Sequence, residues 1–272
     1  MLTPFRKMHG AGNDFVVMDA RAGALPLSPA RIAALSDRQT GIGCDQFITM
    51  ETAPAGGPDV FMRIHNNDGS ESGTCGNATR CVALLVREET GRDSIVVQTN
   101  SGKLPVVFGA GGVTVDMGEA RFGWQQIPLS EEADTLALPI EGAPAAASLG
   151  NPHATLFVAD LGAAPVTTLG PALEHHPIFA ERANIGFAQV LAPDRIKLRV
   201  WERGTGLTRA CGSAACAALV NAHRRGLVGR RAALELDGGE LTIEWRPDGH
   251  VLMTGPALLA FQGSVDLATY PP

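Results

Sequence analysis

The sequence predicts an α+β fold of two similar, pseudo-two-fold-related domains, each a curled, mostly antiparallel sheet around a central buried helix. Three observations predict it. Four short segments of the first half return in the same order in the second; strand-like runs broken by glycine turns fill both halves; and each half holds a helical run that is apolar on every face.

The repeat is read first, because missing it would misread the fold. Gly12-Asn13-Asp14-Phe15 is answered by Gly150-Asn151-Pro152-His153, and Gly41-Ile42-Gly43-Cys44-Asp45-Gln46 by Asn184-Ile185-Gly186-Phe187-Ala188-Gln189. Arg63-Ile64-His65-Asn66 is answered by Arg199-Val200-Trp201-Glu202, and Cys75-Gly76-Asn77-Ala78 by Cys211-Gly212-Ser213-Ala214. From the Gly-Asn asparagine to the Cys-Gly cysteine is 62 residues in one copy and 60 in the other. Four ordered matches at nearly equal spacing point to tandem duplication with a boundary near residue 118; coincidence in a Gly- and Ala-rich chain is the alternative. Strands are expected at 15–19, 60–64, 95–99, 104–108 and 113–117, then at 154–158, 196–201, 233–236, 241–245 and 251–253. Gly111-Gly112 and Gly238-Gly239 lie between them as hairpin turns. A peripheral helix opens at Ser28-Pro29, a capping residue followed by proline at the first helical position. The runs from Cys81 to Val86 and from Ala214 to Val220 are apolar all round, so each is expected to be a buried helix beginning at the Cys-Gly site.

Composition narrows the function. A chain of 272 residues with 45% hydrophobic residues can bury a core, which excludes disorder. A net charge of −6 without a basic block argues against nucleic acid as a partner. No signal-like apolar segment opens the chain and no run approaches the ~18 apolar residues of a membrane span, so a soluble, cytoplasmic protein without a membrane partner is expected. In that compartment an odd count of five cysteines is not a disulfide framework.

Cys75 and Cys211 would both sit at helix N-termini, where dipole and N–H groups favour a thiolate. Duplication would set the two helix starts facing each other across the cleft between domains. Two matched acid/base groups on opposite faces of one carbon are what stereoinversion needs: one removes the proton, the other returns it. N–H donors at the helix starts would hold a carboxylate as charge moves onto it. A pair of structural thiols inherited by duplication remains the alternative at this point. No cofactor is called for. Lys7 is the only lysine near a Gly-rich stretch, and that stretch lacks the full phosphate fingerprint, which disfavours pyridoxal chemistry. No C-x-x-C pair supports a metal site. Cys81 and Cys216 read as small core residues, and Cys44 has no counterpart and no role.

The segments Met8-His9-Gly10-Ala11-Gly12-Asn13-Asp14-Phe15, Asp68-Gly69-Ser70-Glu71 with Cys75-Gly76-Asn77, Gly150-Asn151-Pro152-His153, and Glu202-Arg203-Gly204 with Ala210-Cys211-Gly212-Ser213 resemble the diaminopimelate epimerase family. The resemblance runs in order over nearly the whole chain. It implies domains at 1–117 and 118–256, with a tail at 257–272 returning to the first. It also implies cofactor-independent epimerisation of LL-2,6-diaminopimelate to the meso form, in lysine and peptidoglycan synthesis, by a homodimer. By the resemblance Cys75 and Cys211 are the two bases, and His153 and Glu202, charged or chargeable, tune their pKa values. Substrate contacts carry over to Asn13, Gln46, Asn66, Gly76, Asn77, Asn151, Asn184, Glu202, Arg203, Gly212 and Ser213. Of the five asparagines among these, the four at turn or strand ends could be plain turn formers, but a diamino diacid has a second amino-acid head that needs such donors and acceptors. Cys44, His65-Asn66-Asn67 before Asp68, and Ala78-Thr79 after Asn77 depart from the family pattern. The rivals are a proline or hydroxyproline racemase-type enzyme, disfavoured by Asn77 and by Thr208-Arg209-Ala210 before Cys211, and a non-catalytic redox thiol protein.

Overall fold

The same pairing scheme is built twice. In the computed structural model, which describes residues 2–271, the chain divides into two units, Met1–Val115 with Gly255–Pro272, and Asp116–Thr254. Met1 and Pro272, the outer ends of the expected domain ranges, lie outside the described residues.

The first unit runs β1 (Leu2–Gly10), β2 (Asn13–Asp19), α1 (Pro29–Ser36), β3 (Gln46–Glu51), β4 (Val60–Asn66), β5 (Glu71–Ser72), α2 (Gly76–Thr90), β6 (Ser94–Thr99), β7 (Gly102–Gly109) and β8 (Gly112–Glu119), within which the division falls. The second runs β9 (Ala145–Ser148), β10 (Pro152–Phe157), α3 (Val166–Glu174), β11 (Asn184–Ala192), β12 (Arg195–Glu202), β13 (Gly206–Thr208), α4 (Gly212–Arg224), β14 (Arg231–Leu236), β15 (Gly239–Trp245) and β16 (His250–Gly255). β17 (Leu258–Asp266) then pairs with β1. In unit one β2 pairs parallel with β3, β3 antiparallel with β4, β4 antiparallel with β5 and parallel with β6, and β6 antiparallel with β7. In unit two β10, β11, β12, β13, β14 and β15 take those places one for one, with the same senses. This is the sheet-dominated α+β class the sequence predicts.

Each unit wraps its sheet about one helix. α2 packs on β1, β2, β4, β6 and β7, and α4 on β9, β10, β11, β12, β14 and β15. A helix enclosed on all sides cannot afford a polar face, and ten of the thirteen residues of α4 are buried. Its Leu219 and Val220 are each worth about 1.5–3 kcal/mol by burial, and its alanines let strands close in from several directions. Both helices open where expected: Cys75 and Cys211 are the N-cap residues, with extended backbones. α1 opens as read, Ser28 Oγ accepting the Arg31 N–H at 3.1 Å with Pro29 behind it.

Register corrects one of the four repeat matches. Phe15 pairs with Gln46 across β2 and β3, and His153 with Asn184 across β10 and β11, so Gln46 is the counterpart of Asn184, not of Gln189. The sequence match slips by five residues because an Ile-Gly pair follows both Gly41 and Asn184. The other three hold, since Asn66 ends β4 as Glu202 ends β12.

Several elements escape the pattern reading. β3 is a run of four buried residues and shows no alternation. β9 is three alanines and a serine, poor strand formers held by β10. α3 carries Gly170 and Pro171, which read as breakers, yet Gly170 is where the helix meets the Trp201 side chain: a Cβ there would stand 2.7 Å from Trp201 Cβ. Among the described residues no helix is long and apolar enough to cross a membrane.

Candidate active site

Six expected site residues belong to the first unit, and they fall where β2 and β3 begin, β4 ends and α2 begins. Asn13 opens β2, Gln46 opens β3, Asn66 closes β4, and Cys75, Gly76 and Asn77 start α2. Asn13 is the hub. Its Oδ1 lies 3.8 Å from the Cys75 Sγ–H and accepts Asn77 Nδ2–H at 3.3 Å, while its Nδ2 donates to Asp45 Oδ2 at 2.9 Å. Asn77 Oδ1 in turn accepts from the fully buried Arg80 at 2.7 Å. A carboxylate at one end and a guanidinium at the other leave each amide a single orientation. The Cys75 sulfur also accepts the Ala78 N–H at 3.5 Å.

Gln46 Nε2 donates to Asn66 Oδ1 at 3.2 Å, and Asn66 Nδ2 donates to Ser70 Oγ at 3.1 Å. The turn after Asn66 admits only glycine at position 69: φ is +86° and a Cβ would fall 2.2 Å from the Pro29 carbonyl oxygen. Gly69 therefore closes the turn that aims Asn66.

The second unit holds Asn151, His153, Asn184, Glu202, Arg203, Cys211, Gly212 and Ser213 at the corresponding strand ends and helix start. His153 is 1% exposed with Nε2 at 2.8 Å from Asn151 Oδ1, so Nε2 carries the proton. Its Nδ1 is buried without a hydrogen-bond partner. Burial, with the Arg203 charge second, holds this imidazole neutral, at about 3. It therefore acts here as a neutral donor rather than as a cation. Asn151 Nδ2 donates to Ser213 Oγ at 3.4 Å, and Ser213 Oγ stands 3.6 Å from Cys211 Sγ. Asn184 Oδ1 accepts the Arg203 N–H at 3.0 Å, and Arg203 Nη1 donates to the Glu181 carbonyl at 3.0 Å.

Cys211 departs from the ordinary helix-start thiol. It is 6% exposed, and burial, then the Glu202 carboxylate to which the thiol hydrogen-bonds, pushes its pKa well up. The Ala214 N–H and Ser213 act in the opposite sense and are outweighed. Glu202 also accepts from Thr208 Oγ1. Cys211 thus holds its proton at neutral pH.

The residues that brace the site escape the sequence reading. Asp14, Asp45, Lys7 and Arg38 anchor Asn13: Arg38 bridges both carboxylates, and Lys7 pairs with Asp14 at 2.5 Å and donates to the Gly43 carbonyl. Burial would raise the Asp14 pKa, yet Arg38 and Lys7 together hold it far below the usual range. Arg80 has a legible signal, the i, i+3 spacing from Asn77 on one helix. Cys44 finds its explanation in packing, at 1% exposure among Val16, Met18, Ile32, Leu35 and Phe47, its thiol on Ser36 Oγ at 3.4 Å. Cys81 is buried too, and its pKa is pushed up to about 12.

The class is that of an isomerase, acting as an epimerase, and it rests on likeness to known proteins. The family model described as diaminopimelate epimerase matches residues 5–123 and 145–260, which include Cys75 and Cys211. A diaminopimelate epimerase of Acidiphilium cryptum is 60% identical over 99% of this chain and 98% of its own, and that of Rhodospirillum centenum 56% identical over 100% and 95%. The solved hydroxyproline epimerase of Agrobacterium vitis shares the fold, with a TM-score of 0.70 over 97% of this chain and 92% of its own, at 14% identity. The chain belongs to the diaminopimelate epimerase family.

Proposed function

We propose that the chain converts LL-2,6-diaminopimelate to the meso isomer by cofactor-independent two-base proton transfer, with Cys75 and Cys211 carrying the proton. The observation that carries the reading is that each unit presents a cysteine as the cap of its buried central helix, in a chain of this family. One thiol, as thiolate, removes the α-hydrogen from one face, and the other thiol delivers a proton to the opposite face. Helix starts supply N–H donors without intrahelical partners, suited to an α-carboxylate on which negative charge accumulates. Asn13, Gln46, Asn66, Gly76 and Asn77, and Asn151, Asn184, Glu202, Arg203, Gly212 and Ser213, contact the substrate, and His153 acts on the thiols through its neutral ring. The product serves lysine and peptidoglycan synthesis in the cytoplasm. The polar residues that fit a second amino-acid head would stand unpaired against a simpler amino acid, which discriminates by ~10⁴ or more.

In deuterated buffer with reductant and no cofactor, the α-hydrogen of LL-diaminopimelate is expected to exchange as meso isomer forms. Absence of exchange would falsify the reading, and comparable turnover of proline or hydroxyproline would favour the proline racemase type instead.

A homodimer belongs to the same proposal. Leu258, Leu259 and Phe261 of β17, which pair with His9, Met8 and Lys7 at one end of β1, are each about half exposed, an apolar group that monomers seldom leave bare. Light scattering is expected to give twice the 28.4 kDa of the chain; a monomer at micromolar concentration would refute it.

A further inference from the structure

Glu174, the last residue of α3, lies outside every repeated motif and is a carboxylate only 4% exposed. Ionised groups are not buried without compensation. Here both oxygens are taken: Oε2 accepts the Trp201 indole Nε1–H at 2.8 Å, and Oε1 accepts the Gly204 backbone N–H at 2.8 Å. Among the described residues, Arg182 Nη1 at 3.5 Å and His175 Nε2 at 3.8 Å from Oε1 are the charged or titratable groups within ion-pairing distance of it.

Trp201 and Gly204 immediately flank Glu202 and Arg203. The turn between them is closed by the Thr205 N–H on the Glu202 carbonyl at 3.1 Å, with Gly204 at a φ of +74°. One buried carboxylate therefore grips a four-residue segment at both ends, and the two residues inside the grip belong to the proposed site. The charged group acting on Cys211 is Glu202, which approaches from this segment. We propose that Glu174 is a positioning residue for Cys211: its two oxygens bracket the Glu202-Arg203 pair and hold the Glu202 carboxylate against the thiol. The proposal rests on the reading above only in treating Cys211 as a reacting thiol. A carboxylate suits the task because two N–H donors need two acceptor atoms on one group. Glutamine, of equal size, offers one acceptor and turns an NH₂ on the other donor.

The test reads Cys211 alone. In a Cys75→Ala background, alkylation of Cys211 by iodoacetamide is followed against pH by peptide mass, for the parent, Glu174→Gln and Trp201→Phe, with Glu202→Gln as the reference for complete loss of the carboxylate. Loosened access would speed alkylation equally at every pH, so the midpoint of the profile is the readout. With Glu174→Gln the midpoint is expected to fall toward that of Glu202→Gln, raising the rate at pH 7 by about threefold to tenfold, since a midpoint lower by about one pH unit means about ten times more thiolate. Trp201→Phe, which removes one of the two donors and keeps the aromatic ring, is expected to move it the same way by less. Unchanged midpoints, with a lowered melting temperature or a uniformly faster rate, overturn the proposal. Should Glu174→Gln not fold, the Trp201→Phe midpoint decides alone, a fall supporting the proposal and no change overturning it. No substrate enters these measurements, so a chain without epimerase turnover would refute the proposed function and leave this result to stand separately.

Discussion

Replacing either Cys75 or Cys211 by alanine is expected to lower epimerisation by about 10³-fold or more, within the range a positioned acid or base contributes. The two variants should nevertheless differ from each other. Inversion needs a base on one face of the α-carbon and an acid on the other, so neither thiol can complete it alone. A single remaining thiol can still remove the α-hydrogen of whichever isomer presents it and return a solvent-derived hydron to the same face. Each variant should therefore exchange the α-hydrogen of one isomer, LL or meso, without inverting it, and the isomer exchanged should swap between the variants. Mass spectrometry of recovered substrate in deuterated water, combined with chiral separation, reads both quantities together. Near-full turnover in either variant would remove that cysteine from the mechanism, and exchange of the same isomer by both would place both thiols on one face.

The sequence carries the parts of this architecture that rest on local chemistry. Ser28-Pro29 and the two Cys-Gly starts announce helices because capping is written in two or three adjacent residues. The all-apolar stretches of α2 and α4 announce burial for the same reason. The elements that escape are those whose identity is conferred by neighbours: β3, a run of buried residues without alternation, β9, an alanine run held by β10, and α3, whose Gly170 serves a contact with Trp201. The site shows the same division. Cys75, Asn77 and Asn13 stand out in short motifs, whereas Asp45 and Glu174 act across 32 and 30 residues of chain, distances no local pattern spans. Even the repeat is clear only where chemistry marks it. Gln46 and Asn184 each stand out singly, yet strand register alone makes them counterparts. The Cys211 thiol reverses a local rule outright: a helix start favours thiolate, but burial and Glu202 together outweigh it.

That reversal sets the second large expectation, on Glu202→Gln. A two-thiol reaction runs through the singly ionised pair, one thiolate and one thiol, and is lost when the pair gives up its last proton. Cys211 is the thiol whose proton is held by burial and by the Glu202 carboxylate, so it sets the alkaline limb of the rate profile. The sign follows from charge. With the carboxylate present, ionising Cys211 would place a second anion beside it, and the thiol persists to higher pH. With glutamine that repulsion disappears while burial stays, so the pKa falls without reaching that of an exposed thiol. The alkaline limb of kcat/KM should then move to lower pH by about one unit, a tenfold loss of rate on that side, beside a pH-independent loss from the substrate contact proposed for Glu202. Both directions of the reaction draw on the same singly ionised pair, and their rates are bound together by one equilibrium constant. The displacement should accordingly be the same whether LL or meso isomer is supplied. A limb that stays in place when Glu202 becomes glutamine would mean that the carboxylate does not govern the Cys211 proton, and a shift seen with only one isomer would be incompatible with a shared two-thiol intermediate.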